Sequence, residues 1–270
     1  RCPFGKEYPG CGITCVEIID EIIRMEGPNS VAGVVIEPIV GSNGILVPVD
    51  EYVPRLREIC DDHEILLIAD EVMSGFGRTG KMFCMEHWDV TPDIMSMAKG
   101  ITGAFLPVGA TITSHAIADH FDQPGNLFSH GQTYAMHPMG CAAAIASIKE
   151  YEDKKIVENA AKMGRYMEKR LKELMESHKS IGEVRGKGLF WGVELVKDRE
   201  TKEPFATRKE KFLPTIQKKM SAAAMEKGVY LVNIINHFIV APPLIVTEKE
   251  IDEGIAVLDE VLAIADRETV

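Results

Sequence analysis

Short apolar runs alternate with amphipathic stretches through the first half of the chain. Residues 31–36, 65–69 and 94–98 are apolar or β-branched runs that are too short for an ordinary helix. They predict strands, and the charges on both sides of the second run favour a strand buried on both faces. Residues 14–26 and 48–63 carry apolar residues at helical spacing. Strands and helices in this order are typical of a mostly parallel sheet.

Two stretches have the form of a capping box, in which a threonine and a glutamate three residues later bind each other's backbone amides. They are Thr14-Cys15-Val16-Glu17 and Thr247-Glu248-Lys249-Glu250. The first predicts the start of a packing helix that Gly27 and Pro28 end. The second predicts the start of the last helix in the chain.

The pattern changes near residue 150 and indicates a second, smaller domain. Before this point we expect one more strand over residues 107–113 and an alanine-rich helix over residues 138–151. Beyond it the sequence predicts a long charged helix over residues 153–178, a strand over 188–196, a charged linker over 197–211 and a further helix that ends at 228. Two short strands over 229–232 and 237–241 and a last helix from 247 follow. These elements lack the βα order, so we predict domains over residues 1–150 and 151–270, the second of α+β type.

Composition narrows the possible functions. With 270 residues, 46% hydrophobic and 26% charged, the chain has the make-up of an ordinary globular protein. A net charge of −11 argues against nucleic acid or an anionic membrane surface as a partner. No apolar run reaches the length of a transmembrane helix, and the first residues lack the form of a signal peptide. We therefore expect no membrane span.

The six cysteines are scattered without a Cys-x-x-Cys pair, which indicates reduced thiols in a cytoplasmic protein. Cys11 and Cys15, with Cys2 nearby, leave a metal site or a disulfide open as an alternative. No histidine or fourth cysteine completes a ligand set, so we predict no metal site.

Two of the predicted strands end in ionisable residues. Residues 65–69 lead into Asp70 and Glu71, and residues 94–98 lead into Lys99. Ligands of open parallel sheets bind beyond the carboxyl ends of the strands, so we expect the acid and the amine at one rim. An amine in apolar surroundings is a usable nucleophile toward a carbonyl. Pyridoxal phosphate (PLP) chemistry requires these two groups, a lysine for the Schiff base and an acid for the pyridinium.

A third carboxylate, Glu37, follows residues 31–36 and is expected at the same rim. A catalytic role for Glu37 competes with the simpler interpretation of a strand-end acid that faces solvent.

The motifs around these residues occur in one order and spacing. They are Asp70-Glu71-Val72, Gly75-Phe76-Gly77-Arg78-Thr79-Gly80, Pro92-Asp93, Ala98-Lys99-Gly100 and Pro107-Val108-Gly109-Ala110. Together they closely resemble the signature of class III (omega-type) PLP-dependent aminotransferases. The resemblance implies that Asp70 partners the pyridinium nitrogen, that Val72 packs on the cofactor ring and that Lys99 forms the Schiff base with PLP.

The resemblance extends to three further residues. Glu37 begins a stretch that is similar to the family's EP-x-x-G segment near the cofactor. The loop 129–134 is similar to a family loop whose threonine reaches the cofactor phosphate of the neighbouring subunit, which implies Thr133 as a phosphate ligand in trans. A turn hydroxyl is the alternative for Thr133. Arg185 lies in a motif that is widespread in the family, and we interpret it as a structural arginine before a strand.

The implied fold is the aspartate-aminotransferase-like PLP fold (fold type I), with a three-layer α/β large domain and a small α+β C-terminal domain. Such proteins are homodimers with shared active sites. The chain is similar to their C-terminal part and lacks the front of the large domain, which carries the phosphate-binding loop. The implied reaction is a ping-pong transfer of an amino group from an amine donor to a keto acid, with Lys99 as base and acid.

Three positions bear on the identity of the keto acid. Family members that use 2-oxoglutarate generally carry glutamine, glutamate and arginine where this chain has Met73, Ser42 and Ile239. Joint loss of the glutamate and the arginine is coherent, because either charge alone is costly when buried. Met73 resembles the pyruvate-dependent omega-aminotransferases, so pyruvate is the expected acceptor. The donor is expected to be a primary amine or omega-amino acid, and the sequence identifies no residue that binds the substrate carboxylate.

Two alternatives stay open. Asp70 and Lys99 serve a PLP-dependent isomerase, such as an aminomutase or racemase, equally well. In the second alternative, a chain that lacks the front of the large domain is a structural fragment without activity.

Overall fold

The structure, a computed structural model, describes residues 2, 4–205 and 215–269. Within these limits the chain forms two compact units, each assembled from separate stretches of sequence. Unit 1 comprises the described residues of 1–38, 48–73 and 85–148, and unit 2 those of 39–47, 74–84 and 149–270. Two short stretches from the first half therefore belong to the unit that the second half mainly forms.

Unit 1 is built on a four-stranded sheet in the order β1-β2-β3-β4. Its strands are β1 (Gly33–Ile36), β2 (Leu66–Asp70), β3 (Ile94–Met97) and β4 (Ala110–Thr113). The first three strands pair in parallel, and β4 is antiparallel to β3. The helices of the first half are α1 (Thr14–Glu26), α2 (Tyr52–Asp62), α3 (His115–Phe121) and α4 (Pro138–Asp153), whose last residues belong to unit 2.

The core of unit 1 lies between α1, α2 and one face of the sheet. The buried cluster contains Val16, Ile23, Val53, Leu56, Ile59, Cys60, Ile65, Leu67, Ala69 and Met85. On β2, Leu67 and Ala69 are buried, whereas Leu66 and Ile68 are only half-buried. The prediction of a strand buried on both faces is therefore wrong, because alternate side chains of β2 point away from the two helices.

The start of α1 also differs from its prediction. Thr14 is the first helical residue, and no side chain caps the helix. The Thr14 hydroxyl donates to the carbonyl of Cys11 at 2.7 Å, and Glu17 pairs with Arg55 at 2.7 Å. The predicted capping box is wrong here because both of its side chains bind other partners.

Unit 2 is built on a second sheet in the order β5-β6-β8-β7, with every pair antiparallel. Its strands are β5 (Ile181–Lys187), β6 (Phe190–Leu195), β7 (Val232–Ile234) and β8 (His237–Val240). Its helices are α5 (Ile156–Ser177), α6 (Thr215–Glu226) and α7 (Glu248–Asp266). All three helices contribute to one buried cluster, with Leu171, Met220 and Leu258 packed near Phe238 of β8.

The stretch 74–84 joins unit 2 through closely packed glycines. Gly188, in the turn between β5 and β6, has φ +57°, and a Cβ there would overlap the backbone of Thr79 and Gly80. A Cβ on Gly164 of α5 would in turn overlap the backbone of Gly188. Only residues without side chains permit backbones to approach this closely.

Two predicted boundaries in the second half have different outcomes. β5 is not predicted by the sequence pattern, and Arg185 lies inside this strand rather than before a strand. The predicted capping box of α7 is confirmed, since the amide of Glu250 donates to the Thr247 hydroxyl at 3.3 Å and the amide of Thr247 donates to Glu250 at 2.8 Å. The predicted linker over residues 197–211 lies partly outside the described residues.

None of the described helices combines the length and the apolar character that a membrane crossing requires. None of the six cysteines, all of which the structure describes, forms a disulfide. Within the described part of the chain, no group of three or more His, Cys, Asp or Glu side chains is arranged to hold a metal ion. The structure therefore gives no support to a metal site or disulfide at Cys2, Cys11 and Cys15.

Candidate active site

Asp70 and Lys99 lie at the ends of neighbouring strands of the unit 1 sheet. Asp70 is the last residue of β2 and lies opposite Ser96 of β3, to which β2 is parallel. Lys99 comes directly after Ala98, just beyond the end of β3. The two ionisable residues therefore reach the carboxyl edge of two adjacent parallel strands, where ligands of open α/β sheets bind.

The backbone of Lys99 is strained. Its φ is +44°, in the left-handed region that costs an L-residue roughly 1–2 kcal/mol. Lys99 opens a 3₁₀ turn in which the amide of Ile101 donates to the carbonyl of Ala98 at 3.1 Å. The Lys99 side chain itself is exposed. Strain of this kind clusters at active sites, which makes Lys99 a candidate on geometric grounds as well.

The two acids at the end of β2 have different environments. Asp70 is half-buried, and its Oδ1 accepts a hydrogen bond from the amide of Val72 at 2.9 Å. Glu71 is fully buried, and its Oε1 accepts a hydrogen bond from the amide of Met85 at 2.9 Å. Glu71 therefore stabilises the interior of unit 1, and Asp70 is the acid that a ligand at this edge can meet.

Glu37 and Val72 lie near the same edge of the sheet. Glu37 directly follows β1, which pairs in parallel with β2, and its side chain is exposed. Val72 is half-buried and comes two residues after Asp70. The strand order thus brings Glu37, Val72, Asp70 and Lys99 near the carboxyl edge of the sheet.

Thr133 lies in an exposed loop. Every side chain in the stretch 129–137 is exposed, and the stretch contains no helix or strand. Within the described residues, no hydrogen bond links Thr133 to Asp70 or Lys99. Its role in the site of a neighbouring subunit stays a prediction.

Ser42 and Ile239, which bear on the keto acid, belong to neighbouring parts of unit 2. Ile239 of β8 lies opposite Gly192 of β6. The loop that contains Ser42 packs on Gly192, since the carbonyl oxygen of Gly44 is 2.9 Å from the position that a Cβ of Gly192 would occupy. Met73, the third position, lies in unit 1.

Arg78, in the glycine-rich stretch 75–80, is a cation to which the sequence assigned no role. Its Nη1 donates to the carbonyls of Leu189 at 3.0 Å and Pro242 at 2.7 Å. Burial lowers the pKa of Arg78, and the nearby Tyr151 opposes that shift. Arg78 therefore holds loops of unit 2 together, a role that only the tertiary contacts reveal.

A cavity of about 340 Å³ lies in unit 2. Residues of α5, β8 and α7, such as Met167, Val240 and Leu258, form its apolar lining. The acid in this lining is Glu250, whose carboxylate is bound in the capping box of α7. Ligand sites need several convergent polar groups, so we interpret this cavity as a packing feature.

Three parallel strands with an acid and a strained lysine at their carboxyl ends define an α/β protein with an enzyme-like site. The chain belongs to the class-III aminotransferase family, whose sequence pattern matches residues 10–262. Its fold is the aspartate-aminotransferase-like α/β fold, fold type I, and the prediction of this fold class is confirmed.

Three known proteins illustrate the likeness. A taurine–pyruvate aminotransferase of Bilophila wadsworthia is 39% identical over 96% of this chain and 58% of its own length. A leucine/methionine racemase of Thermococcus litoralis is 41% identical over 97% of this chain and 57% of its own length. The crystal structure of a taurine:2-oxoglutarate aminotransferase of Bifidobacterium kashiwanohense, in complex with PLP and glutamate, has a TM-score of 0.88 at 35% identity and covers 93% of this chain and 56% of that one. The chain therefore spans slightly more than half the length of these relatives.

Proposed function

We propose that the protein containing this chain binds PLP and transfers an amino group from an amine donor to a small keto acid. The observation that carries the proposal is the pair Asp70 and Lys99 at the ends of adjacent parallel strands. Membership of the class-III aminotransferase family supports it, as does the PLP-bound relative of similar fold. Because the chain spans slightly more than half the length of its relatives, the proposal concerns the complete protein.

The residues at this edge fit PLP chemically. An exposed primary amine suits covalent attachment of an aldehyde, and a half-buried carboxylate suits a protonated ring nitrogen. The hydrogen bond from Val72 fixes the direction of the Asp70 carboxylate. When bound, PLP supplies the electron sink for the substrate's reacting carbon.

Lys99 and Asp70 have separate roles in the proposed mechanism. Lys99 would hold the cofactor through its Nζ, and the same Nζ would take and return the substrate proton. Asp70 would keep the ring nitrogen protonated. Val72 would pack on the cofactor ring, and Glu37 lies near the same edge of the sheet.

Pyruvate is the acceptor that we propose. Ser42 and Ile239 leave the neighbouring loop and strand of unit 2 without the glutamate and arginine of members that use 2-oxoglutarate. Ile239 lies opposite Gly192, and the loop that carries Ser42 packs on Gly192 through Gly44 and Ile45. The relatives include a taurine–pyruvate and a taurine:2-oxoglutarate aminotransferase, so the acceptor requires a direct measurement.

The proposal has two experimental steps on the complete protein. Borohydride reduction of the PLP-loaded protein and peptide mapping should place the pyridoxyl group on Lys99; a label on another lysine contradicts the site. The pyridoxamine-loaded protein should then react faster with pyruvate than with 2-oxoglutarate, and the reverse order overturns the acceptor.

A PLP-dependent racemase is the second candidate, because the leucine/methionine racemase is 41% identical to this chain. Asp70 and Lys99 support either chemistry. A racemase inverts an amino acid without a keto acid, whereas a transaminase needs one for each turnover. Loss of optical rotation in the absence of any keto acid would favour the racemase.

We further propose a homodimer in which Thr133 serves the partner's site, in a cytoplasmic protein. The exposed apolar residues around Thr133, including Leu127, Phe128, Tyr134 and Met136, support an interface at this loop. In mixed dimers, Thr133→Ala should weaken PLP retention in the subunit that keeps Thr133. A defect that stays in the altered subunit contradicts the assignment in trans. If this chain alone is instead a fragment without activity, it should not retain PLP, whereas the complete protein should.

A further inference from the structure

One row of residues crosses three strands of the unit 2 sheet. Arg185 of β5 lies opposite Gly192 of β6, and Gly192 lies opposite Ile239 of β8. Directly opposite residues of antiparallel strands project from the same face. Arg185 and Ile239 therefore flank Gly192 on one face of the sheet.

The loop 41–45 packs on this row at Gly192. A Cβ on Gly192 would lie 2.9 Å from the carbonyl oxygen of Gly44 and 3.1 Å from the Cβ of Ile45. Ile45 is fully buried, whereas the side chain of Ser42 at the tip of the loop is exposed. The end of the loop with Ile45 therefore packs on the sheet, whereas the tip with Ser42 is exposed.

Arg185 is hydrogen-bonded to the packed end of the loop. Its Nε donates to the carbonyl oxygen of Gly44 at 2.7 Å, and its Nη1 donates to Glu183 at 2.7 Å and Glu194 at 2.6 Å. The side chain is only 13% exposed. Gly44 has φ +126°, and a Cβ there would lie 3.0 Å from Nη2 of Arg185. The two carboxylates thus hold the guanidinium in place, and the guanidinium holds the loop.

The loop has a strained backbone that needs such support. Ile45 has φ +52°, which is rare for a β-branched residue. Its amide donates to the carbonyl of Gly41 at 3.0 Å, and Val40 and Leu46 exchange two backbone hydrogen bonds of 3.1 and 3.0 Å. Strained conformations persist when the surrounding structure fixes them, and here that structure includes Arg185.

We propose that Arg185 is a positioning residue that fixes the loop 41–45, whose tip carries Ser42, on the sheet face that carries Ile239, and so helps to select the keto acid. The inference rests on the proposed transamination. It assigns Arg185 a role through the loop, without contact with the substrate. A purely structural arginine would affect stability and leave the choice of keto acid unchanged.

The test compares Arg185→Lys with Arg199→Lys in the complete, PLP-loaded protein. Lysine at position 185 keeps the charge and loses the planar fork that binds Gly44, Glu183 and Glu194 together. Arg199 is a matched control, because its Nε donates to the carbonyl of Ile181 at 2.8 Å in the same sheet. Gly44→Ala disturbs the same contact from the other side and serves as a second variant.

Two measurements decide the outcome. Amide exchange over residues 40–46 should become about tenfold faster in Arg185→Lys and Gly44→Ala, as expected for loss of a charged hydrogen bond, and stay unchanged in Arg199→Lys. The ratio of kcat/KM for pyruvate and 2-oxobutyrate should shift about threefold or more through KM in the first two variants only. Unchanged exchange overturns the anchor, and faster exchange with an unchanged ratio overturns the role in selection. If the wild-type protein does not catalyse transamination, the proposed function is refuted, and so is the role of Arg185 in selecting the keto acid. The exchange data would still show whether Arg185 anchors the loop.

Discussion

Unit 2 buries a larger share of its apolar residues than unit 1, although Tyr230 and Ile245 of unit 2 are also exposed. In unit 2, β6 is almost entirely buried between the surrounding elements. In the described part of unit 1, Phe105 and Met136 are 87% and 89% exposed, and Ile112 on β4 is 56% exposed. Exposed apolar patches of this kind mark surfaces that bind another protein segment or subunit.

The candidate chemistry lies in the more open unit. Asp70 ends and Lys99 follows strands whose second face is only partly covered, while unit 2 has the larger buried core. The comparison suggests that activity and stability depend on different residues. Substitutions at the sheet edge of unit 1 should reduce activity and leave the free energy of unfolding almost unchanged, and those in the core of unit 2 should lower that free energy.

The largest effect is expected for Lys99→Arg. A guanidinium stays protonated and cannot attack an aldehyde, so transamination by the complete protein should fall about a thousandfold or more. The melting temperature of the apoprotein should change by less than about 2 °C, because the side chain is exposed. Lys81→Arg, also at an exposed lysine, is the control and should change neither quantity. Activity that survives Lys99→Arg would remove the chemistry from unit 1.

Core truncations should separate the units by stability. Leu171→Ala in α5 should lower the free energy of unfolding by about 2–5 kcal/mol, because Leu171 is fully buried. Ile112→Ala on the exposed face of β4 should cost less than about 1 kcal/mol. Urea unfolding of this chain at two protein concentrations measures both. Equal costs would mean that self-association covers β4, and the comparison of an open and a closed unit would then fail.

The sequence predicts the elements whose apolar residues form a clear short run or recur at a regular spacing. Residues 65–69 and 94–98 form strands because each is a short apolar run between polar residues, and the ionisable residues after them mark the sheet edge. The helix over 156–177 is equally clear, since its apolar residues recur at helical spacing. The pair Asp70 and Lys99 could therefore be placed on neighbouring strands without coordinates.

Contacts between distant stretches of the chain leave no such local pattern in the sequence. β5 escapes prediction because Gly182 and Gly186 interrupt it and only Ile181 is fully buried. A Cβ on Gly182 would lie 2.6 Å from Val196, so the glycine is needed for packing that the local pattern does not show. The stretches 39–47 and 74–84 join unit 2 for similar reasons, through glycine contacts and arginine hydrogen bonds.

A smaller effect should distinguish the two threonines that start predicted capping boxes. Thr247→Ala removes a hydroxyl that accepts the amide of Glu250, and should lower the free energy of unfolding by about 1 kcal/mol. Thr14→Ala removes no cap, and we expect a cost below about 0.5 kcal/mol. Thermal unfolding of the two variants side by side measures the difference. A larger cost at Thr14 would mean that its bond to Cys11 matters more for α1 than the cap does for α7.

The smallest effect concerns acid and salt. Burial raises the pKa of Asp266, but hydrogen bonds from Ser180 at 3.0 Å and His178 at 2.7 Å outweigh it, so the pKa is lowered overall. Hydrogen bonds from Arg55 lower the pKa of Glu17 in unit 1. A lowered folded-state pKa adds stability above the unfolded value, about 3.9 for Asp and 4.3 for Glu, and that stability is lost as the pH falls through the folded value.

Asp266→Asn and Glu17→Gln should therefore destabilise the protein at about pH 7, and the difference from wild type should shrink as the pH falls below about 4. The Glu17 pair is the more solvent-exposed, so about 0.5 M salt should remove most of its contribution, whereas the Asp266 contribution should largely persist. Unfolding free energies at two pH values and two salt concentrations test both points. If salt abolishes both contributions equally, Asp266 is as well solvated as Glu17, and the closed character of unit 2 does not extend to the end of α7.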